Sequence, residues 1–161
     1  MDIRQSEIKD LESLMSIYDF ARNFMQETGN PNQWINGYPS VELIKQEIEA
    51  GHSFICEEAG EVVGTFCFIL GDDPTYHLIE NGAWLNDEPY GTIHRLASNG
   101  KVKGIFNHCL EWCSTRCKNI RADTYHENHI MQKALLKSGF KECGIIYVAN
   151  GTPRIAYQKE V

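Results

Sequence analysis

The chain of 161 residues has no long apolar run, no excess of positive charge, no internal repeat and no low-complexity tract. Its longest nearly unbroken apolar stretch, Val62 to Leu70, falls far short of the ~18 residues that a membrane-spanning helix needs. The opening Met1-Asp2-Ile3-Arg4 lacks the basic-then-apolar order of an export signal, so the cytoplasm is the expected location. With 15 Lys and Arg against 22 Asp and Glu, the formal net charge is −7. That balance argues against general nucleic-acid binding, and neither a nucleic acid nor a membrane is expected as a partner. The string Gly, four residues, Gly-Lys-Ser/Thr is missing, as is Gly-x-Gly-x-x-Gly, which excludes a Walker phosphate loop and a Rossmann fingerprint.

What is present is ordinary globular composition, 42% apolar and 23% charged. The length suits one domain over residues 1–161, large enough to bury about two-thirds of its unfolded surface. Six cysteines, Cys56, Cys67, Cys109, Cys113, Cys117 and Cys143, could form a disulfide framework. Without an export signal, reduced thiols packed in the core are the better reading.

Residues 2–5 read as a first strand, and Glu7 to Glu27 carries apolar residues at helical spacing. Ser40 can cap a second helix running to Ala50, closed by Gly51. Residues 53–57 and 62–70 form a hairpin pattern, and Gly71-Asp72-Asp73-Pro74 stops its second strand. After an irregular stretch to Pro89, the pattern predicts a strand at 91–98, a helix at 101–118, a strand at 119–125, a helix at 128–138, and strands at 145–148 and 154–158. The result is an α/β mixed sheet of about seven strands flanked by about four helices.

The informative segment is the strand–turn–helix from Thr92 to Ile105. No Asp or Glu lies between Glu88 and Glu111, whereas Arg95, Lys101 and Lys103 all do. The first turn of a helix leaves backbone N–H groups unpaired and carries the positive end of the macrodipole, so this junction can seat a phosphate or pyrophosphate. Gly104 permits close approach to the backbone. A plain helix start with solvated lysines would look similar.

Lys101-Val102-Lys103-Gly104-Ile105-Phe106 resembles the pyrophosphate loop of the GNAT superfamily of acyl-CoA-dependent N-acyltransferases, Arg/Gln-x-x-Gly-x-Gly/Ala. Lys101 stands at the Arg/Gln position and Gly104 at the first Gly, whereas Phe106 departs from the last. Asp123-Thr124-Tyr125-His126-Glu127-Asn128, followed by Met131-Gln132 and Gly139-Phe140, is similar to the family's fifth strand and fourth helix. The resemblance covers nearly the whole chain. It implies a GNAT-like sheet splayed between the strands ending at Ser98 and Tyr125, with acetyl-CoA in the opening and no metal. The pantetheine would pair with backbone around Leu96, Ala97 and Ser98, and the pyrophosphate would meet the amides of Val102, Lys103, Gly104, Ile105 and Phe106. Asn128 and the helix carrying Met131 would touch the cofactor arm.

The implied reaction is direct acyl transfer from a thioester to a small-molecule or peptide amine; many relatives pair into homodimers, and the sequence leaves the oligomeric state open. The amine must be neutral to attack, so a general base is useful near neutral pH. His94, in the strand whose end meets the thioester, is the first candidate and His126 the second. A histidine packed into the sheet is the alternative for His94. Many relatives carry a Tyr acid seven residues after the Asn, and here that position is Leu135. Tyr125 or Tyr147 could substitute. Trp34, Tyr38 and Trp84 lie in aromatic-rich loops that suit substrate-pocket walls or core covers. Nearby acidic residues, among them Asp72 and Asp73, suit a cationic amine or plain solvation. Cys109, Cys113 and Cys117 share one helical face beside His108, a spacing that suits a core stripe better than zinc or a cysteine nucleophile. The reading is an acetyl-CoA-dependent N-acetyltransferase. The Leu135 replacement and Phe106 leave open a degenerate acyl-CoA sensor, and an unrelated nucleotide-phosphate binder would use the same helix N-terminus.

Overall fold

The computed structural model describes residues 1–161. Strand β1 (Asp2–Gln5) pairs antiparallel with β2 (Ser53–Glu58), which forms a hairpin with β3 (Glu61–Leu70). Strand β4 (Gly91–Ser98) lies antiparallel to β3 and parallel to β5 (Asn119–Thr124). The last two strands, β6 (Lys141–Tyr147) and β7 (Pro153–Glu160), complete a seven-stranded mixed sheet in the order β1-β2-β3-β4-β5-β7-β6.

Helices α1 (Leu11–Glu27) and α2 (Val41–Glu49) cover one face. On α1, Leu14, Ile17 and Tyr18 are buried at helical spacing and meet Ile44 and Ile48 of α2 over Ile55 and Ala97 of the sheet. Ser40 caps α2 by accepting from the Leu43 N–H at 3.1 Å. Helices α3 (Ile105–Ser114) and α4 (His129–Lys137) cover the other face, where Cys109, Leu110, Cys113 and Leu135 pack on Phe66, Phe68, Ile93 and Tyr157. No helix is long and apolar enough to cross a membrane.

Several boundaries differ from the pattern. Residues 8–10 form a separate short 3-10 turn before α1, because Asp10 accepts from the Glu7 N–H and from the Arg4 guanidinium and so anchors the entry. The helix expected from Lys101 begins only at Ile105. Gly100 and Gly104, at φ of 76° and 81°, adopt left-handed backbone that a helix cannot include. It also stops at Ser114 rather than Lys118, where Ser114 and Thr115 hydroxyls donate back to the carbonyls of Leu110 and Trp112. Strand β6 starts earlier than the β-prone run suggests, since pairing of Lys141 and Glu142 with β7 holds a segment of weak strand propensity. The six cysteines are all unbridged. Cys109 lies 3.6 Å from Cys56 within the core, and burial pushes the Cys113 thiol up, so neither is an activated nucleophile.

Candidate active site

The sheet divides in its middle. Strands β4 and β5 pair only at Gly91–Ile120 and Thr92–Arg121, and beyond Thr92 the two part. On its other edge β4 stays on β3 as far as Ser98, so residues 93–98 present a free backbone edge toward β5. Free strand edges accept an added strand or an extended ligand. A bulge interrupts β4 at this point. The register jumps from Thr65–Ala97 to Cys67–His94, setting two residues of β4, Arg95 and Leu96, against Phe66 alone. Arg95 takes φ of 52° there, a costly conformation for a non-glycine. It is held by hydrogen bonds of 2.9 Å to the Tyr38 hydroxyl and 2.9 Å to Glu47.

Below the opening, β4 runs through a turn into α3. The Lys101 N–H is taken by the Asn99 side chain at 3.1 Å, and the Lys101 ammonium pairs with Glu61. The N–H groups of Val102, Lys103 and Gly104 have no hydrogen-bond partner within the protein, and α3 begins without a side-chain cap. These donors and the helix terminus form a positive concavity. From Gly104 and Phe106 a groove of about 660 Å³ continues between α3 and α4, past Glu111 to Lys137, Ser138 and Lys159.

Within the opening lies a cavity of about 60 Å³, lined by Ile93, Arg95 and Leu96 of β4, Ala122, Asp123 and Thr124 of β5, and Asn128, Met131 and Leu135 at α4. Phe106, Met25, Gln33 and Trp34 complete it. Asn128 caps α4 by accepting from the Met131 N–H at 3.0 Å and donates to Gln33 at 2.9 Å. Leu135 is fully packed, so a buried aliphatic occupies the place of the acid that the resemblance assigns. Ala97 turns its side chain to the α1 face, and Ser98 still pairs with Gly64.

His94 sits on the face opposite Ile93, next to the opening, with its Nε2 3.2 Å from Asp73. Both side chains are largely covered, at 22% and 19% exposure. The His94 hydrogen bond, helped by the Thr75 N–H, holds the Asp73 carboxyl below its ordinary value against the opposing effect of burial. Beside them the buried Tyr76 hydroxyl donates to Asp123 at 2.6 Å. Burial and then the Asp123 charge push the Tyr76 phenol well up, so it stays protonated as a donor. His126 is exposed and lies against Tyr125, with ring centroids 4.3 Å apart and the planes tilted by 42°. Tyr147 lies elsewhere, its hydroxyl 3.1 Å from Glu80. Trp34 and Tyr38 stand at the cleft, 6.1 Å apart edge to face. Trp84 does not line it: it packs 4.9 Å from Tyr76 and under the Arg121 guanidinium.

Four residues here were not singled out by sequence: Gln33, Tyr76, Arg95 in its bulged role, and Arg154. Gln33 Oε1 gathers donors from Asn30 and Asn128, joining the α1–α2 connection to the start of α4. None carries a local signature, since their meaning comes from meeting across more than 40 residues. Arg95 was visible as a cation in an acid-free stretch, but its positive φ was not.

The divided sheet, the free β4 edge and the open amides before α3 define the class of protein: a mixed α/β fold whose central sheet splits between two parallel strands. No family model and no curated protein sequence matches the chain, but solved structures do. It is similar to a GNAT-family acetyltransferase from Streptococcus agalactiae 2603, with 28% identity, 99% of this chain and 95% of that one covered, and a TM-score of 0.88. A GNAT-family acetyltransferase from Listeria monocytogenes 4b F2365 shares 22% identity over 99% of this chain and 94% of that one, with a TM-score of 0.73. The GNAT-like decarboxylase GphF in complex with isobutyryl-CoA shares 14% identity over 99% of both chains, at a TM-score of 0.67. The chain has the fold of the GNAT superfamily, and that fold supports acyl transfer.

Proposed function

We propose that the protein is an N-acetyltransferase that moves an acetyl group from acetyl-CoA to a primary amine by direct attack in a ternary complex. The observation that carries this is the ladder between β4 and β5 ending at Thr92, which leaves backbone donors and acceptors of residues 93–98 free beside open amides at Val102 to Gly104. Those features fit the coenzyme. The β4 edge suits the amide groups of a pantetheine arm, the turn suits a pyrophosphate, and the groove toward Lys137 and Lys159 suits the adenosine end. When bound, the coenzyme supplies an acyl group activated as a thioester with a good leaving thiol.

The chain's own groups do the rest. His94, held by Asp73, accepts the proton that the ammonium must lose, so that the amine nitrogen can form its bond to the acyl carbon as the carbon–sulfur bond breaks. Backbone N–H groups of the bulged β4 meet the oxygen on which negative charge develops. Tyr76 donates to Asp123 and keeps its side chain in place toward the incoming cation. With Leu135 in place of an acid, the second proton, lost from the nitrogen as the amide forms, passes to the leaving thiolate directly or through solvent.

Thermal unfolding with acetyl-CoA and with ATP, together with thiol release across an amine panel, tests this. Acetyl-CoA at about 100 times its Kd is expected to stabilise the fold by about 2.7 kcal/mol, with ATP much weaker. Thiol release that depends on the amine supports the enzyme. Leu135 specifically favours a second reading, an acyl-CoA sensor, which would show the stabilisation without thiol release for any amine.

A further inference from the structure

Arg154, the second residue of β7, is a buried cation without an anion. It is 7% exposed, and no carboxylate comes within ion-pairing distance of it. Its Nη1 donates to the Thr152 hydroxyl at 2.9 Å and the Pro153 carbonyl at 3.0 Å. Its Nη2 reaches only a long 3.4 Å contact with the Gln33 carbonyl, and its Cζ lies 4.8 Å from the centre of the Tyr125 ring. Burying a guanidinium this far is costly unless a counter-charge offsets the lost hydration. Burial lowers its pKa, and the charge of Asp123 works against that shift.

The register fixes where this cation stands. Asp123 of β5 pairs with Ala156 of β7, and Arg154 lies two residues before Ala156, on the same face. Asp123 and Arg154 are therefore diagonal neighbours, with backbones roughly 7–8 Å apart by the usual sheet spacing. Asp123 and Gln33 line the cavity, while Arg154 stands behind that wall against the Gln33 carbonyl, and Asp123 and Arg154 are not paired to each other. One matches an ammonium group and the other a carboxylate.

We propose that the acceptor is a zwitterion, an amine that carries a carboxylate a few bonds away, with Asp123 facing its ammonium group and Arg154 its carboxylate. This rests on the acyl-transfer reading above and narrows its acceptor to amino acids and their close analogues. The bidentate fork of arginine is the group best matched to a carboxylate, and the Tyr125 ring beneath it limits its motion.

Matched pairs test the proposal: each of several amino acids against its amide and its decarboxylated amine. In thiol release, the free acids are expected to exceed their partners by tenfold or more in kcat/KM, chiefly through KM. Arg154→Gln is expected to collapse that ratio toward one, and Arg154→Lys to retain part of it. A wild-type preference for carboxylate-free amines overturns the proposal. So does an Arg154→Gln loss of the same factor for both members of a pair, which would make Arg154 only a clamp on the loop at Gln33. If no amine releases thiol, the acyl-transfer reading fails, and calorimetric titration of the same pairs decides this proposal separately. Tighter binding of the acids supports it and equal binding overturns it. Should Arg154→Gln fail to fold, the wild-type ratio of acid to amide decides alone.

Discussion

His94 and Asp73 show how far single residues carry the chemistry. Asp73 ends the turn after β3, where its carboxylate also accepts the Thr75 N–H at 2.9 Å, so it is fixed before it meets the imidazole. A base held in this way should matter to rate. His94→Gln is expected to lower kcat/KM about 10²- to 10⁴-fold with little change in acetyl-CoA binding. Asp73→Asn should cost less, since the imidazole remains. Equal activity of His94→Gln and wild type across the pH range would remove His94 from the mechanism. Gly91 carries a different kind of constraint, at the last stretch where β4 and β5 still pair. A Cβ there would come within 2.4 Å of the Phe68 ring and 3.1 Å of the Cys117 sulfur. Gly91→Ala is therefore expected to destabilise the fold by about 1–3 kcal/mol in urea unfolding. Unchanged stability would mean that the ring moves aside freely.

At the scale of elements, caps and turns decide where each segment begins. Ser40→Ala removes the acceptor for the Leu43 N–H and should cost about 1 kcal/mol, read from the denaturation midpoint at constant slope. The turn before α3 is the element that sequence located best and described least well. Its lysines, Gly104 and lack of acids were legible, because charge and glycine are properties of single positions. The late start of α3 was not, because it depends on left-handed backbone at Gly100 and Gly104, where the Phe20 ring packs against the Gly100 side. Asn128 was legible as the start of the helix that became α4, but its capping of the Met131 N–H was not. Nor was its bond to Gln33, 95 residues away.

For the whole molecule, the two sheet halves joined at Gly91 and Thr92 depend on polar anchors around their rims. Asp10 is held below its ordinary carboxylate value first by Arg4, and Asp73 first by His94. A carboxylate whose pKa is lowered by folding contributes stability that is full above its unfolded value of 3.8 and is lost as the pH falls through its folded value. The unfolding free energy is therefore expected to be nearly flat in these terms above about pH 5 and to fall steadily below about pH 4. Asp10→Asn should flatten part of that acid slope while costing about 1–3 kcal/mol near neutral pH, because it breaks a charged hydrogen-bond pair. An acid slope unchanged by the substitution would show that other groups control it.

Sequence alone determined the alternation of strands and helices, the single mixed sheet and the glycine-bearing, acid-free junction near residue 100. Each of these is written in local spacing, glycine placement or the charge of neighbours along the chain. Only the tertiary structure decided that the ladder between β4 and β5 ends as early as Thr92, that Asp73 stands behind His94, and that Arg154 is buried near Asp123 without an ion pair. Strand pairing and charge burial are set by which distant segments share a face, and no pattern within one segment specifies that.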